Sequence, residues 1–187
     1  MIKRAFDLVL TVPAVVLLAL PLLGVGLWIR ATSPGPALYW SQRVGAGGRL
    51  FLMPKFRSMR TDTPAVATHL LKDPEAWLTP IGGFLRRSSI DELPQLLSII
   101  RGDMSIVGPR PALFNQDDLI GLRQGCGVDR LRPGLTGWAQ VNGRDEIPIP
   151  DKVALDAEYL ERQSVAFDIR VIFMTVSKVL RGHDVSH

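Results

Sequence analysis

The densest cluster of groups able to do chemistry is Arg86-Arg87-Ser88-Ser89-Ile90-Asp91-Glu92-Leu93-Pro94-Gln95. Its two adjacent carboxylates stand at the start of an expected helix from about Ile90 to Ile100, which Ser88 or Ser89 can cap. The helix dipole and the two arginines favour ionised acids, and they equally favour a bound phosphate. An ionised carboxylate can attack phosphorus and form an acyl phosphate. Neighbouring helical residues point about 100° apart, so Asp91 and Glu92 can hold separate jobs, one as nucleophile and one as ligand of a divalent cation. Mg²⁺ suits such a pair, because it takes hard oxygen ligands and needs only one or two carboxylates when phosphates and water complete its shell. On this segment alone, ordinary helix capping with surface ion pairs is the simpler account.

A second motif shifts the balance. In Gly102-Asp103-Met104-Ser105-Ile106-Val107-Gly108-Pro109-Arg110-Pro111, the Arg110 guanidinium sits between two prolines. A stiffened backbone lowers the entropy cost of placing that group against a phosphate. Lys55-Phe56-Arg57-Ser58-Met59-Arg60 adds three more cations, which could also serve a basic face near anionic lipid headgroups. Other chemistries lack their residues. The single Cys126 excludes a disulfide framework and a cysteine-cluster metal site, and His69, His183 and His187 are too scattered for a histidine-built zinc site. Carboxylates, basic groups and backbone must carry any reaction.

The elements that position these groups belong to a 187-residue chain, 47% hydrophobic and 21% charged, with a net charge of +4. That length suits one domain, the hydropathy excludes intrinsic disorder, and the basic excess points to a membrane surface or phosphorylated ligand. No nucleic-acid recognition motif is present. The apolar excess has an address: Leu8 to Ile29 carries no charge, with Lys3, Arg4 and Asp7 before it and Arg30 after it. The segment is long enough to cross a bilayer. Positive residues on both flanks instead favour both ends on the cytoplasmic side, as in a re-entrant helix-break-helix bent at Pro21. The residues alone leave the re-entrant and spanning readings open.

Past Thr32-Ser33-Pro34-Gly35-Pro36, two strand-like runs, 37–43 and 49–53, flank Gly45-Ala46-Gly47-Gly48 and predict a β-hairpin. Helices are expected over 114–123, 152–163 and 168–180, the last apolar enough to pack on both protein and membrane. The resulting fold class is α+β and mainly helical. It comprises an N-terminal apolar membrane segment (1–30), a small β-hairpin, amphipathic helices, and a domain over 31–187.

Six ordered motifs together resemble the bacterial sugar transferases, specifically the small monotopic phosphoglycosyl transferases. They are Lys3-Arg4-Ala5-Phe6-Asp7, Lys55 to Met59, Asp91 to Gln95, Gly102 to Ser105, Val107 to Pro111, and Arg132-Pro133-Gly134-Leu135-Thr136-Gly137-Trp138-Ala139-Gln140-Val141-Asn142-Gly143-Arg144. The resemblance covers nearly the whole chain, and it implies that 1–30 is a re-entrant membrane helix-break-helix and 31–187 a cytoplasmic catalytic domain, with interfacial amphipathic helices, resting on the membrane interface. It implies transfer of a sugar phosphate from a UDP-sugar to a polyprenyl (undecaprenyl) phosphate with release of UMP, at the cytoplasmic face of the bacterial inner membrane. Asp91 would be the nucleophile and Glu92 the Mg²⁺ ligand. Arg110 and Arg86 would contact phosphate, with Lys55, Arg144, Asp156 and Asp168 as further substrate-binding positions. The 132–144 segment would shape the nucleotide end. The family breaks its membrane helix at Ser-Pro, whereas here Leu20 precedes Pro21, so no hydroxyl reinforces the bend. Two rivals remain at this level: a non-catalytic membrane-docking module, and a Mg²⁺-dependent phosphohydrolase using the same acids.

Overall fold

A computed structural model describes residues 2–64, 73–143 and 147–181, and it is mainly helical. Helix α1, Ile2–Thr32, is continuous, with Pro13 and Pro21 inside it. The expected helix-break-helix at Pro21 is not formed. The reason lies in packing: residues 4, 7, 11, 14, 15, 18, 22, 25 and 29 recur at helical spacing and rest on the domain before and after the proline. Ala14, Val15 and Leu18 lie against Met53, Leu96, Ile99 and Met104. Leu22, Val25 and Ile29 lie against Phe56, Ile81 and Leu85. The opposite face exposes Val9, Val16, Leu17, Leu20, Leu23 and Leu27. It is the one helix among the described residues long and apolar enough to cross a membrane.

Both ends of α1 are tied to the same domain. Near its start, Arg4 donates to the carbonyls of Ile99 and Ile100 at the end of α3 (Leu96–Arg101), where a helix offers unpaired acceptors. Asp7, 1% exposed, accepts from Ser105 Oγ at 2.9 Å and from the Ile106 amide at 3.1 Å. Past its end, the buried Arg57 donates to Ser33 Oγ, Ser33 O and Pro36 O, closing the turn that leaves the helix.

Strands β1 (Leu38–Val44) and β2 (Leu50–Phe56) form the expected antiparallel hairpin, with β1 shifted by one residue and β2 running three residues further at the base, and with Ser41 opposite Met53 and Arg43 opposite Phe51. Alternation puts Ser41, Arg43, Met53 and Lys55 on one face and leaves Trp40, Leu50 and Leu52 exposed on the other. A second, parallel pair joins β3 (Ser105–Val107) to β4 (Gly134–Thr136). Here backbones approach so closely that a Cβ on Gly108 would lie 2.3 Å from the Arg132 carbonyl oxygen.

The expected helix over 90–100 divides. Residues 90–95 form a 3₁₀ turn and only 96–101 are α-helical, as α3. Pro94 lacks a donor, and Ser89 sits in the left-handed region at φ 54°, which reverses the chain after α2 (Gly82–Arg87). Ser89 holds the cap position without a side-chain cap bond. Helices α4 (Asp117–Gly125), α6 (Ile149–Arg162) and α7 (Val165–Arg181) stand near their expected places, with α5 (Trp138–Asn142) between β4 and α6. Around Val107 and Val171, Trp138, Tyr159 and Phe167 fill one core. The other side of α7 exposes Ile169, Phe173 and Val176.

Asp7 thus fastens the apolar helix to β3. Asp7→Ala should lower stability by about 2–3 kcal/mol, since it strands a hydroxyl and an amide away from water. Thermal unfolding in detergent measures this; an unchanged midpoint would show that the fastening contributes nothing.

Candidate active site

Three elements converge on the acid pair. The 3₁₀ turn carries Asp91 and Glu92, both buried at 6% and 8% exposure. The hairpin's inner face brings Lys55, whose Nζ lies 2.8 Å from Glu92 Oε1. The loop after β3 brings the Arg110 guanidinium to 3.8 Å from the same oxygen. Helix α2, ending just before the reversal at Ser89, supplies Arg86. Its Nε donates to Ser58 Oγ at 3.0 Å, and its charge is felt by Asp91.

The two acids are not equivalent. Burial, and then the neighbouring Glu92 charge, push Asp91 up to about 6; Lys55 and Arg86 only partly counter this. Its Oδ1 accepts no hydrogen bond among the described residues. Burial likewise pulls the Arg86 guanidinium below its ordinary value, and Asp91 offsets part of that. Asp91 is therefore a desolvated carboxylate with an oxygen to spare, while Glu92 is held by Lys55.

A hollow lined by Arg43, Lys55, Glu92, Gln95 and Arg110 opens beside the pair, floored by Met53 and Leu135. A larger one lies across the Pro109–Ala112 loop and is walled by Val44, Ile120, Arg123, Val128 and Leu131. Pro133 faces the larger hollow, whereas Gly134 and Leu135 face the smaller, so the 132–144 segment borders both.

Of the expected site residues, Lys55, Arg86, Asp91, Glu92 and Arg110 are brought together. Arg144 lies outside the described residues. Asp156 and Asp168 are engaged elsewhere. Asp156, on the buried stripe Val153-Asp156-Tyr159 of α6, pairs with Arg123 of α4 at 2.6 Å. Burial still raises its pKa, and Arg123 works against that. Asp168, fully buried at the start of α7, accepts from Lys3 Nζ at 2.7 Å and from the Tyr159 hydroxyl at 2.6 Å. Burial and Asp168 together hold the Tyr159 phenol well above its usual range. Both carboxylates thus join helices. Sequence reasoning missed Arg43 and Arg123. A parity count along β1 puts Arg43 on the face of the buried Ser41, and Arg123 follows the buried Leu119 by one helical turn.

Among the described residues no three His, Cys, Asp or Glu side chains converge into a closed metal cage. The oxygens present, the spare Asp91 Oδ1 and the Glu92 carboxylate, fit a Mg²⁺ whose remaining ligands come from phosphate and water.

The raised Asp91 pKa has a stability consequence. Because the folded value exceeds the unfolded one, its contribution is present below about pH 4 and lost as pH rises through about 6. Asp91→Asn should then exceed the parent in stability by roughly 2–3 kcal/mol at pH 7–8, and the gain should vanish near pH 4. Unfolding midpoints across that range decide it; a pH-independent difference would refute the burial account.

The match to known proteins is extensive. A family profile described as bacterial sugar transferase matches residues 1–182. The chain is 40% identical, over 95% of its length, to the UDP-glucose:undecaprenyl-phosphate glucose-1-phosphate transferase of Escherichia coli (strain K12), covering 40% of that protein. It is 38% identical, over 96% of its length, to the undecaprenyl-phosphate galactose phosphotransferase of Salmonella typhimurium, again covering 40% of that protein. It thus spans about two fifths of the length of these curated relatives. The exopolysaccharide production protein PSS of Rhizobium leguminosarum bv. phaseoli is 40% identical and is matched over 96% of its own length, with 97% of this chain aligned. With these matches and the acid pair set among lysine and arginine, the chain belongs to the bacterial sugar transferase family.

Proposed function

We propose that this chain transfers a sugar 1-phosphate from a UDP-sugar to polyprenyl phosphate, releasing UMP through a covalent intermediate on Asp91. The observation that carries the reading is the buried Asp91 with a spare oxygen beside Glu92, set among Lys55, Arg86 and Arg110. The relatives' names point to the same acceptor.

In the first half-reaction, an Asp91 oxygen attacks the β-phosphorus of the UDP-sugar. The bond from that phosphorus to the bridging oxygen breaks, and UMP leaves with the electron pair. The acyl phosphate so formed still carries the sugar. In the second, an oxygen of polyprenyl phosphate attacks the same phosphorus and frees the Asp91 carboxylate, giving a polyprenyl diphosphate sugar. Partial burial suits the nucleophile, because a desolvated carboxylate is less stabilised by water than one on the surface. Lys55, Arg86 and Arg110 offset the charge of the diphosphate and of the lipid phosphate. Glu92, with Asp91 beside it, would hold Mg²⁺, which would supply Lewis-acid stabilisation of the departing UMP. The larger hollow, which shares the Pro109–Ala112 wall, would take the nucleoside.

The same reading places the chain monotopically on the cytoplasmic face of the inner membrane. Two observations support it. Both ends of α1 are bonded to one domain, so spanning would tear Arg4 and Asp7 from their partners. The outer faces of α1 and α7 offer lipid a wide apolar surface.

The test is an assay of UMP release from a panel of UDP-sugars, with and without polyprenyl phosphate, using protein in detergent or vesicles with Mg²⁺. The expected products are UMP and a lipid diphosphate sugar. Asp91→Asn should lose turnover by at least about a thousand-fold. Because the ionised form attacks, kcat/KM for the donor should climb as pH rises through about 6. Substantial transfer by Asp91→Asn would remove the intermediate. Sugar phosphate or inorganic phosphate appearing without a lipid acceptor would indicate a phosphohydrolase, and no turnover would leave a docking module. Separately, Glu92→Gln should shift the Mg²⁺ activation curve to higher concentration; a superimposable curve would exclude Glu92 as a ligand.

A further inference from the structure

We infer that Asp156 and Arg123 are positioning residues for Arg110: through a hydrogen bond to the Arg110 carbonyl, they set the guanidinium that grips the donor diphosphate. The inference rests on the phosphate-binding role given to Arg110 above. Its own basis is how the Arg110 loop is held. Four consecutive carbonyls, of Pro109, Arg110, Pro111 and Ala112, each accept a bond from another element. Gly134 N reaches Pro109 O at 2.8 Å, and Val44 N reaches Ala112 O at 3.0 Å. Between them, Arg123 donates from one terminal nitrogen to Arg110 O at 2.8 Å, and Arg43 donates to Pro111 O at 3.1 Å.

Prolines at 109 and 111 fix φ on either side of Arg110. With the carbonyls pinned as well, the peptide planes around Arg110 have little freedom, and the side chain leaves a backbone of one orientation. Of the four donors, Arg123 is itself oriented by a buried charge. Its Nε and one terminal nitrogen both meet Asp156 Oδ2, at 3.0 and 2.6 Å, so the remaining terminal nitrogen points at Arg110 O. The planar fork does this in a way an ammonium cannot, since the two sets of donors are fixed in one plane. Asp156 is 1% exposed and meets no substrate directly; Arg123, 7% exposed, borders the larger hollow, but all three of its nitrogens are engaged with Asp156 and the Arg110 carbonyl, so the pair acts through the loop.

The experiment is a double-mutant cycle read by binding. UDP is titrated by calorimetry into detergent-solubilised protein with Mg²⁺, for the parent and for Arg123→Lys, which keeps the charge but loses the fork. A second variant, Asp156→Leu with Arg123→Met, removes the pair without stranding a buried charge and guards against misfolding. Each change is made with Arg110 present and with Arg110→Ala. With Arg110 present, both should weaken UDP binding by about ten-fold or more; in the Arg110→Ala background they should weaken it less than about two-fold. Equal losses in the two backgrounds would make the pair a general support of the fold and overturn the positioning role alone. If Arg110→Ala by itself leaves UDP binding unchanged, the phosphate-binding role of Arg110 falls, and this inference falls with it.

Discussion

Two neighbouring carboxylates withdrawn from water repel each other, and each loses hydration that burial does not return. Asp91 and Glu92 impose that condition, and the surrounding elements answer it. The hairpin must deliver Lys55 at its base, α2 must end where Arg86 can face back, and the loop after β3 must carry Arg110 to the same spot. Compensation is uneven. Glu92 receives a close ion pair, while burial and then the Glu92 charge hold the Asp91 pKa up against the opposing pull of Lys55 and Arg86. The imbalance separates a group suited to attack from one suited to hold.

The scaffold that answers this demand is small, and α1 serves it as a strut. Its inner stripe completes two of the four apolar clusters, one against the hairpin and α3 and one against α2. At its start a chain of buried polar groups, Lys3 and Asp7 with Ser105, Asp168 and Tyr159, joins α1 to β3, α6 and α7. An apolar helix with charged groups buried along one edge is unsuited to stand free in lipid; it is an integral part of the domain. The acid pair sits on the turn running into α3, so the apolar helix and the acid pair share one support.

Much of this was legible in residues. The hairpin followed from two β-prone runs around a glycine tip, and the amphipathic last helix from its periodicity. The cluster of Asp91, Glu92, Lys55, Arg86 and Arg110 followed from residue types that phosphate chemistry needs. What misled was local signal overridden by packing. Pro21 reads as a break, yet contacts on both sides keep α1 helical. The run from Ile90 reads as one helix, yet Ser89 and Pro94 confine the first half to a tighter turn. Asp156 and Asp168 entered as site residues through the family resemblance, and in the structure each joins one helix to another.

By itself the sequence determined which groups could act on a phosphate and where the long apolar segment runs, because residue type and short-range periodicity are properties of the chain. Only the tertiary structure decided which cation meets which acid, that Asp91 and not Glu92 is left with a spare oxygen, and that Arg43 and Arg123 reach the Arg110 loop. Those outcomes depend on strand register, on the reversal at Ser89 and on the docking of α4 against α6. Each joins residues far apart in the chain, where no local pattern sets a distance.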